Sequence, residues 1–318
     1  MTVVSAPALE IVRAGMLTTI QDLGRPGLGR FGVSPSGPMD PFAHRLANAL
    51  VGNPPSAAAL EITGPGTVVR FLRAQRFAIA GADLAATLDD VALPRVAVVT
   101  AKPGARLSFG ARRSGARVSL ACAGGWNAPL WFASAATDVG AAGPLRAGTT
   151  LHAFDQPRTI VDPDNERLAA LGAFVPLPPP NGPCALRYVP EPEGGVTAAA
   201  AAAFALATFR VSPRSNRTGF RFEGAALATV ADPARLSEPT APGAIQLPPD
   251  GHPILLMADR NTTGGYPRLG HLCGADRGRA AQLWPGDEVR FFPIDATEAH
   301  ALTRAALIGF SGLLTSGC

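Results

Sequence analysis

The chain has 318 residues, of which 47% are apolar and only 16% charged, with a formal charge of +4. That balance excludes a disordered chain and supplies core material for one large domain or two ordinary ones. Its 35 glycines and 31 prolines follow no collagen-like period, so they imply many tight turns between many short strands.

Other function classes fall away on residue type. Of 28 basic residues only Lys102 is a lysine. A Schiff-base or general-base lysine could only be Lys102, which precedes a proline where it would be solvated. It does not sit between methionines, so no covalent biotin is expected on this chain. Aromatic residues make up 6% and alternate with no arginine run, which argues against a nucleic-acid partner. The cysteines Cys122, Cys184, Cys273 and Cys318 are too far apart for a metal knuckle or redox pair. The histidines are scattered without an H-E-x-x-H, so no metal site is expected. The opening M-T-V-V-S-A-P-A-L-E lacks a signal-peptide pattern, and the longest apolar stretch, Ala198–Ala207, is too short to span a bilayer. The expectation is a reduced, cytoplasmic chain with no membrane partner.

In chain order, Thr18–Arg30 reads T-T-I-Q-D-L-G-R-P-G-L-G-R and continues as G-V-S-P-S-G-P-M-D to Asp40. This predicts a long polar loop, either a site whose backbone N–H groups face an anion or a surface loop holding itself. Asp40–Val51 predicts a helix, with Asp40 as N-cap, Pro41 in the first turn, Phe42, Leu46 and Leu50 on one face, and Gly52 as stop. A short pattern, G-x-x-V/L-x-F after a proline, recurs at Gly66–Phe71, Gly104–Phe109 and Gly286–Phe291, with a looser copy from Gly148. Pro-Gly turns the chain, and apolar residues two apart face one side of a strand. Further strands are predicted at Arg76–Ala80, Val96–Thr100, Arg117–Ala121 and Pro253–Ala258, and helices at Thr197–Thr208 and Thr297–Phe310. The irregular spacing of the copies excludes a solenoid.

F-V-P-L-P-P-P-N-G-P-C, Phe174–Cys184, is neither helix nor central strand. It divides the chain into residues 1–175, a linker 176–183, and residues 184–318. Both halves read as mainly β with a few helices. Two arginine clusters stand out. Arg112, Arg113 and Arg117 read as a solvated face; Arg210, Arg214, Arg217 and Arg221 read as either that or a grip for carboxylate or phosphate.

Two later stretches are also rich in polar residues and glycine. Gly243–Pro253 places Gln246 beside a turn, where a glutamine commonly satisfies backbone groups. M-A-D-R-N-T-T-G-G-Y-P, Met257–Pro267, leaves an apolar strand at Asp259. There a carboxylate can cap a turn, hold a substrate N–H or act as a base. Gly264 and Gly265 let backbone approach a ligand, and Tyr266 offers a hydroxyl or a flat face. No phosphate loop, G-x-S-x-G elbow or dinucleotide fingerprint is present.

Taken together, G-M-L-T-T-I-Q-D-L-G-R, S-G-P-M-D, L-E-I-T-G-P-G, the Gly243–Pro267 motifs and A-Q-L-W-P-G-D-E-V-R-F stand in one order from about Gly15 to Pro293. In this they resemble the family known variously as the 5-oxoprolinase C subunit, allophanate hydrolase subunit 2, kinase-inhibitor antagonist or biotin-dependent carboxyltransferase. The resemblance implies two cyclophilin-like β-barrel subdomains. It also implies a smaller partner, the B subunit, joined by an A subunit in the oxoprolinase system. It implies either ATP-dependent opening of 5-oxoproline, with ATP shared with or supplied by partners, or carboxyl transfer to urea. A regulatory role without chemistry of its own is the further alternative. Carried onto this chain, the site residues are Gln21, Asp22, Arg25, Asp40, Asn48, Gln246, Asp259, Thr262, Thr263, Gly265, Tyr266 and Gln282. Asp259 is expected as base or N–H acceptor, Tyr266 and Gln246 as orienting groups, and Arg25 as anion holder. The chain departs from the family where W-N-A-P-L-W-F-A-S follows Gly124-Gly125, so that Trp131, Phe132 and Ala133 replace small polar residues. It departs again at S-N-R-T-G, where Asn216 replaces an aspartate.

Overall fold

The structure, a computed structural model, describes residues 5–155, 164–179, 181–229 and 236–315. Pro180 of the proline-rich segment and Cys318 lie outside the described residues. The chain is mainly β with a few helices and divides into two compact units. The first is built from the chain up to Arg25, from Ser36–Leu177 and from the C-terminal stretch that begins at Phe310, the second from Pro26–Pro35 and Pro178–Gly309. The division between Leu177 and Pro178 falls inside the proline-rich segment, where the missing N–H groups cannot extend a sheet. The stretch Pro26–Pro35 groups with the second unit although it lies early in the chain.

The first unit holds two sheets. One has seven strands in the order Trp126–Asn127, Thr150–Phe154, Ser5–Ala14, Thr67–Phe71, Arg106–Ser108, Thr87–Leu88, Val91–Ala92. The other has five, in the order Leu17–Gln21, Ala59–Thr63, Ser114–Cys122, Gln75–Asp83, Ala97–Ala101. Inward residues from both make one core, which includes Leu9, Val69 and Leu107 from the first sheet and Ile62, Ile79 and Leu120 from the second. Phe71 and Phe77 stack across it with ring centroids 4.9 Å apart. The helix Pro41–Leu50 lies on Ser114–Cys122 and Gln75–Asp83, burying Phe42, Leu46 and Leu50. Its Asp40 cap accepts from the N–H groups of Phe42 and Ala43 at 3.1 and 3.0 Å.

The first polar motif is therefore not a loop from its start. Leu17–Gln21 is a strand paired along its length with Ala59–Thr63. Its threonines are buried, and Thr18 Oγ1 donates to the Ala14 carbonyl at 2.8 Å. β-branched residues with satisfied hydroxyls suit a sheet interior, which polarity alone does not reveal. The loop begins after Gln21.

The second unit closes as a seven-stranded barrel, in the order Cys184–Pro190, Arg268–Leu272, Ala244–Gln246, Ile254–Leu256, Gly219–Glu223, Thr208–Val211, Glu288–Pro293. Strands that alternate in direction cannot close an odd ring without one parallel pair. That pair is Cys184–Pro190 with Glu288–Pro293. Phe291, from the third copy of the repeated pattern, sits at the centre of the aromatic core. Its ring is 4.7 Å from Phe204 and 5.3 Å from Phe222. Phe204 comes from the helix Ala198–Leu206, whose alanines let it pack closely on Glu288–Pro293. The helix Ala296–Thr315 follows the last strand. The helices Asn165–Gly172 and Arg277–Ala281 have no counterpart in the sequence expectations, the latter being too short to show a period.

Candidate functional site

The sequence-selected residues fall into two groups, one in each unit. In the first unit, Gln21 ends its strand fully buried. Its Nε2 donates to Thr19 Oγ1 and to the Thr137 carbonyl, both at 3.1 Å, while Oε1 has no partner among the described residues. Asp22 Oδ1 accepts from Gly24 N–H at 2.8 Å and from the Ser134 hydroxyl at 2.6 Å, and Oδ2 accepts from Ala135 N–H at 2.7 Å. Arg25 is buried and donates to the carbonyls of Trp131 and Ala136, and its guanidinium carbon lies 4.9 Å from the Trp131 ring centroid.

Asp22 and Arg25 thus hold the segment Trp131–Ala136. Trp131 and Ser134 form a β-bridge, and between them Phe132 and Ala133 take φ of 49° and 59°. Two successive left-handed residues make a tight hairpin turn that ordinarily asks for Asn-Gly. The phenylalanine and alanine carry strain there, and the turn displays Leu130, Trp131 and Phe132 to solvent. Beside it is a cavity of about 430 Å³ whose lining includes Asp22, Gly24, Ser56, Trp126, Asn127 and Leu130. Arg25, expected as an anion holder, is a strut for this turn.

Asp40 and Asn48 are structural in the same sense. Asn48 Nδ2 donates to the Ala57 carbonyl at 2.9 Å and meets His44 Nε2 at 3.2 Å, while its Oδ1 accepts from Asn53 at 3.0 Å. Burial pushes His44 down to about 4 against a smaller opposing pull from Asp22. The imidazole is therefore neutral in the folded chain near neutrality.

In the second unit, the strand Ile254–Leu256 runs into Asp259, and both carboxylate oxygens meet Arg217, Oδ2 with Nε at 2.8 Å and Oδ1 with the terminal nitrogen at 3.0 Å. Both side chains are buried, at 3% and 6% exposure, and Asp259 N–H donates to the Arg217 carbonyl at 3.0 Å. Asp259 is thus a held group rather than a free base. The second arginine cluster is divided: Arg217 serves Asp259, and Arg210 pairs with Glu288 at 2.9 Å. Asn216 accepts from Thr218 N–H at 2.8 Å and shapes the turn that presents Arg217.

Beyond Asp259, the loop is fastened by its backbone. Thr240 donates its N–H to the Thr262 carbonyl at 2.9 Å and its hydroxyl to the Asn261 carbonyl. Thr263–Gly264 pairs with Glu238–Pro239. Gln246 is buried, and its side-chain amide makes no hydrogen bond to a described residue. A Cβ on Gly264 would stand 2.5 Å from Gln246 Nε2, so only glycine leaves the amide in place. Gly265 follows, and Tyr266 is 44% exposed. The structure brings the Gln246 amide against Gly264 of the Thr262–Tyr266 loop. Gln282 is buried after the helix Arg277–Ala281, engaged within the fold. Arg217 belongs to the arginine cluster that the sequence marks as a possible carboxylate grip, and the carboxylate it grips is Asp259 of this chain. Ser134 does not stand out in the sequence, because its role depends on a partner distant along the chain.

Among the described residues, no cluster of three His, Cys, Asp or Glu could hold a metal ion, and no helix is long and apolar enough to cross a membrane. Burial pushes the Cys184 thiol up to about 12 and raises Cys122 as well, so neither suits nucleophilic chemistry.

The carboxyltransferase domain family, subdomains A and B, matches residues 31–293. The chain belongs to this family. Among curated relatives of the carboxyltransferase domain, the 5-oxoprolinase C subunit of Escherichia coli is 36% identical over 92% of this chain and 93% of its own length. Among solved structures, the urea carboxylase of Kluyveromyces lactis has a TM-score of 0.84 at 27% identity, covering 96% of this chain and 29% of that one. The protein TTHA0988 has a TM-score of 0.78 at 32% identity, covering 90% of this chain and 55% of that one. The chain therefore spans a little over half of the TTHA0988 chain and less than a third of the urea carboxylase.

For this carboxyltransferase-family chain, Asp259→Ala leaves Arg217 buried without that carboxylate. It should cost about 3–5 kcal/mol in urea denaturation, part of which a paired Arg217→Met change returns. Ala133→Gly relieves left-handed strain and should raise stability by about 1 kcal/mol, read as a higher denaturation midpoint. His44 has its folded pKa lowered from 6.5 to about 4, so its contribution is complete above pH 6.5 and falls as the pH drops toward 4. The loss is about 3 kcal/mol, and denaturation midpoints of His44→Gln across that window should lack this slope.

Proposed function

We propose that this chain is the C subunit of an ATP-dependent 5-oxoprolinase, which acts with its A and B partners to open 5-oxoproline to glutamate. The observation that carries the reading is the likeness to a named 5-oxoprolinase component across nearly the whole of both chains. The site chemistry is consistent with it. The lactam of 5-oxoproline presents one C=O and one N–H in a plane. The Gln246 amide, with no hydrogen bond to a described residue, offers the complementary N–H and C=O. Gly264 and Gly265 admit the ligand against backbone, Thr262 and Thr263 line the approach, and the exposed Tyr266 hydroxyl can orient the ring. Asp259 acts through Arg217 to fix the loop. Water opens the amide: its oxygen adds to the carbonyl carbon, the C–N bond breaks, and the nitrogen takes a proton.

The sequence has no phosphate loop, and the sole lysine, Lys102, is exposed on a turn. The proposal therefore assigns ATP to the partner proteins, and no step here is routed through it.

A second reading, carboxyl transfer to a urea-like substrate, draws on the fold likeness to urea carboxylase. Urea is also planar and would suit the same amide. In both readings the chain works in a complex. The deciding experiment co-expresses the chain with its A and B partners and measures ATP-dependent glutamate release from 5-oxoproline. Release is expected. Gln246→Ala should lower kcat/KM by about tenfold to a hundredfold at unchanged melting temperature. Gly264→Ala, which displaces the same amide, should match it. No release from a well-formed complex would overturn the assignment.

A further inference from the structure

Four arginines are buried among the described residues: Arg25, Arg117, Arg217 and Arg260. Arg25 holds backbone carbonyls, Arg217 holds Asp259, and Arg117 is also engaged. Arg260 differs. It is 8% exposed, its Nε is enclosed without a hydrogen-bond partner, and no described residue pairs with its guanidinium. Burial depresses its pKa, and the like charge of Arg277 depresses it further. The acids nearby in sequence are occupied. Asp259 closes on Arg217, and Asp276 accepts from the backbone N–H and the side chain of Arg187 at 2.6–2.9 Å.

An arginine cannot shed its proton to escape burial, so a buried guanidinium calls for an anion or acceptor. Its planar fork matches a carboxylate or phosphate with two parallel hydrogen bonds. Arg260 stands in the chain between Asp259 and the Thr262–Tyr266 loop, and the Gln246 amide, with no hydrogen bond to a described residue, rests against Gly264 of that loop. Within the same unit, a Cβ on Gly29 would lie 4.0 Å from Thr262 Cβ, so the early glycine-rich stretch closes on this loop.

We propose that Arg260, with Arg277 beside it, is an oxyanion site that holds the carboxylate of the amide substrate. The proposal rests on the oxoprolinase reading and sharpens it. The substrate class becomes a lactam or amide that carries its own carboxylate, with Gln246 reading the amide and Arg260 the acid. Urea, which has no carboxylate, would leave Arg260 unsatisfied.

The test is calorimetric titration of the full chain and of its complex with 5-oxoproline, with 2-pyrrolidinone as the same lactam without the acid, and with inorganic phosphate. Arg260→Gln should weaken 5-oxoproline by about tenfold or more and leave 2-pyrrolidinone unchanged, with Arg260→Lys recovering part. Its melting temperature should be no lower than that of the wild type, since a buried charge with no partner among the described residues is removed. In the active complex KM should rise more than kcat falls. If Arg260→Gln does not fold, Arg277→Gln reads the same difference between the two lactams. Equal weakening of both lactams, or no change in either, overturns the proposal. Arg260-dependent binding of phosphate with indifference to 5-oxoproline also overturns it and makes the site one for phosphate. If the complex releases no glutamate while Arg260-dependent binding of 5-oxoproline persists, the site stands and the oxoprolinase reading falls. Glutamate release indifferent to Arg260→Gln sinks the site and leaves that reading intact.

Discussion

The buried pairing of Arg217 with Asp259 is the constraint on which the second unit's loops depend. It joins two turns distant in sequence by two side-chain hydrogen bonds and one backbone hydrogen bond. Neither charge could be buried alone, because each would lose its water without compensation. Paired, they fix where the chain leaves the strand Ile254–Leu256, and so where Arg260, the threonines and the glycines of the following loop begin. The loop can be short of side-chain contacts of its own because its root is rigid.

The polar residues sort by what they already bind. Asp22, Arg25, Asp40 and Asn48 have internal partners at ordinary hydrogen-bonding distances and hold turns and caps. Gln246 and Arg260 are buried without such partners among the described residues. A native fold leaves few buried polar groups unmatched, and the unmatched ones point to function. Residue type does not separate the two sets. An aspartate inside a motif reads as a base on paper, and only its distance to Arg217 shows that its oxygens are held.

The strand-rich architecture was legible because Pro-Gly turns and period-two alternation are local. All three full copies of G-x-x-V/L-x-F became strands, and Asp40 and Pro41 started a helix as their backbone chemistry requires. Closure was not legible. The same alternation gives two open sheets in the first unit and a barrel in the second, because closure depends on which strands meet. Leu17–Gln21 was hidden by its threonines, whose hydroxyls are satisfied only in the folded sheet. The motif Met257–Pro267 showed where a site could lie, but Arg260 has no distinguishing mark within it. Nothing in the order of residues says that its neighbouring acids are already occupied.

The parallel seam of the barrel has a consequence for how the chain is made. The strand Cys184–Pro190 emerges from the ribosome before the other barrel strands, yet both of its neighbours, Arg268–Leu272 and Glu288–Pro293, come much later. During synthesis it must wait with two bare edges while the middle strands pair among themselves. Closure is then a late, non-local event, slow for the same reason that long loops are slow to close. A chain stalled before Pro293 would leave that strand seeking a partner, so for the barrel the exposed-edge hazard falls during synthesis and ends with closure.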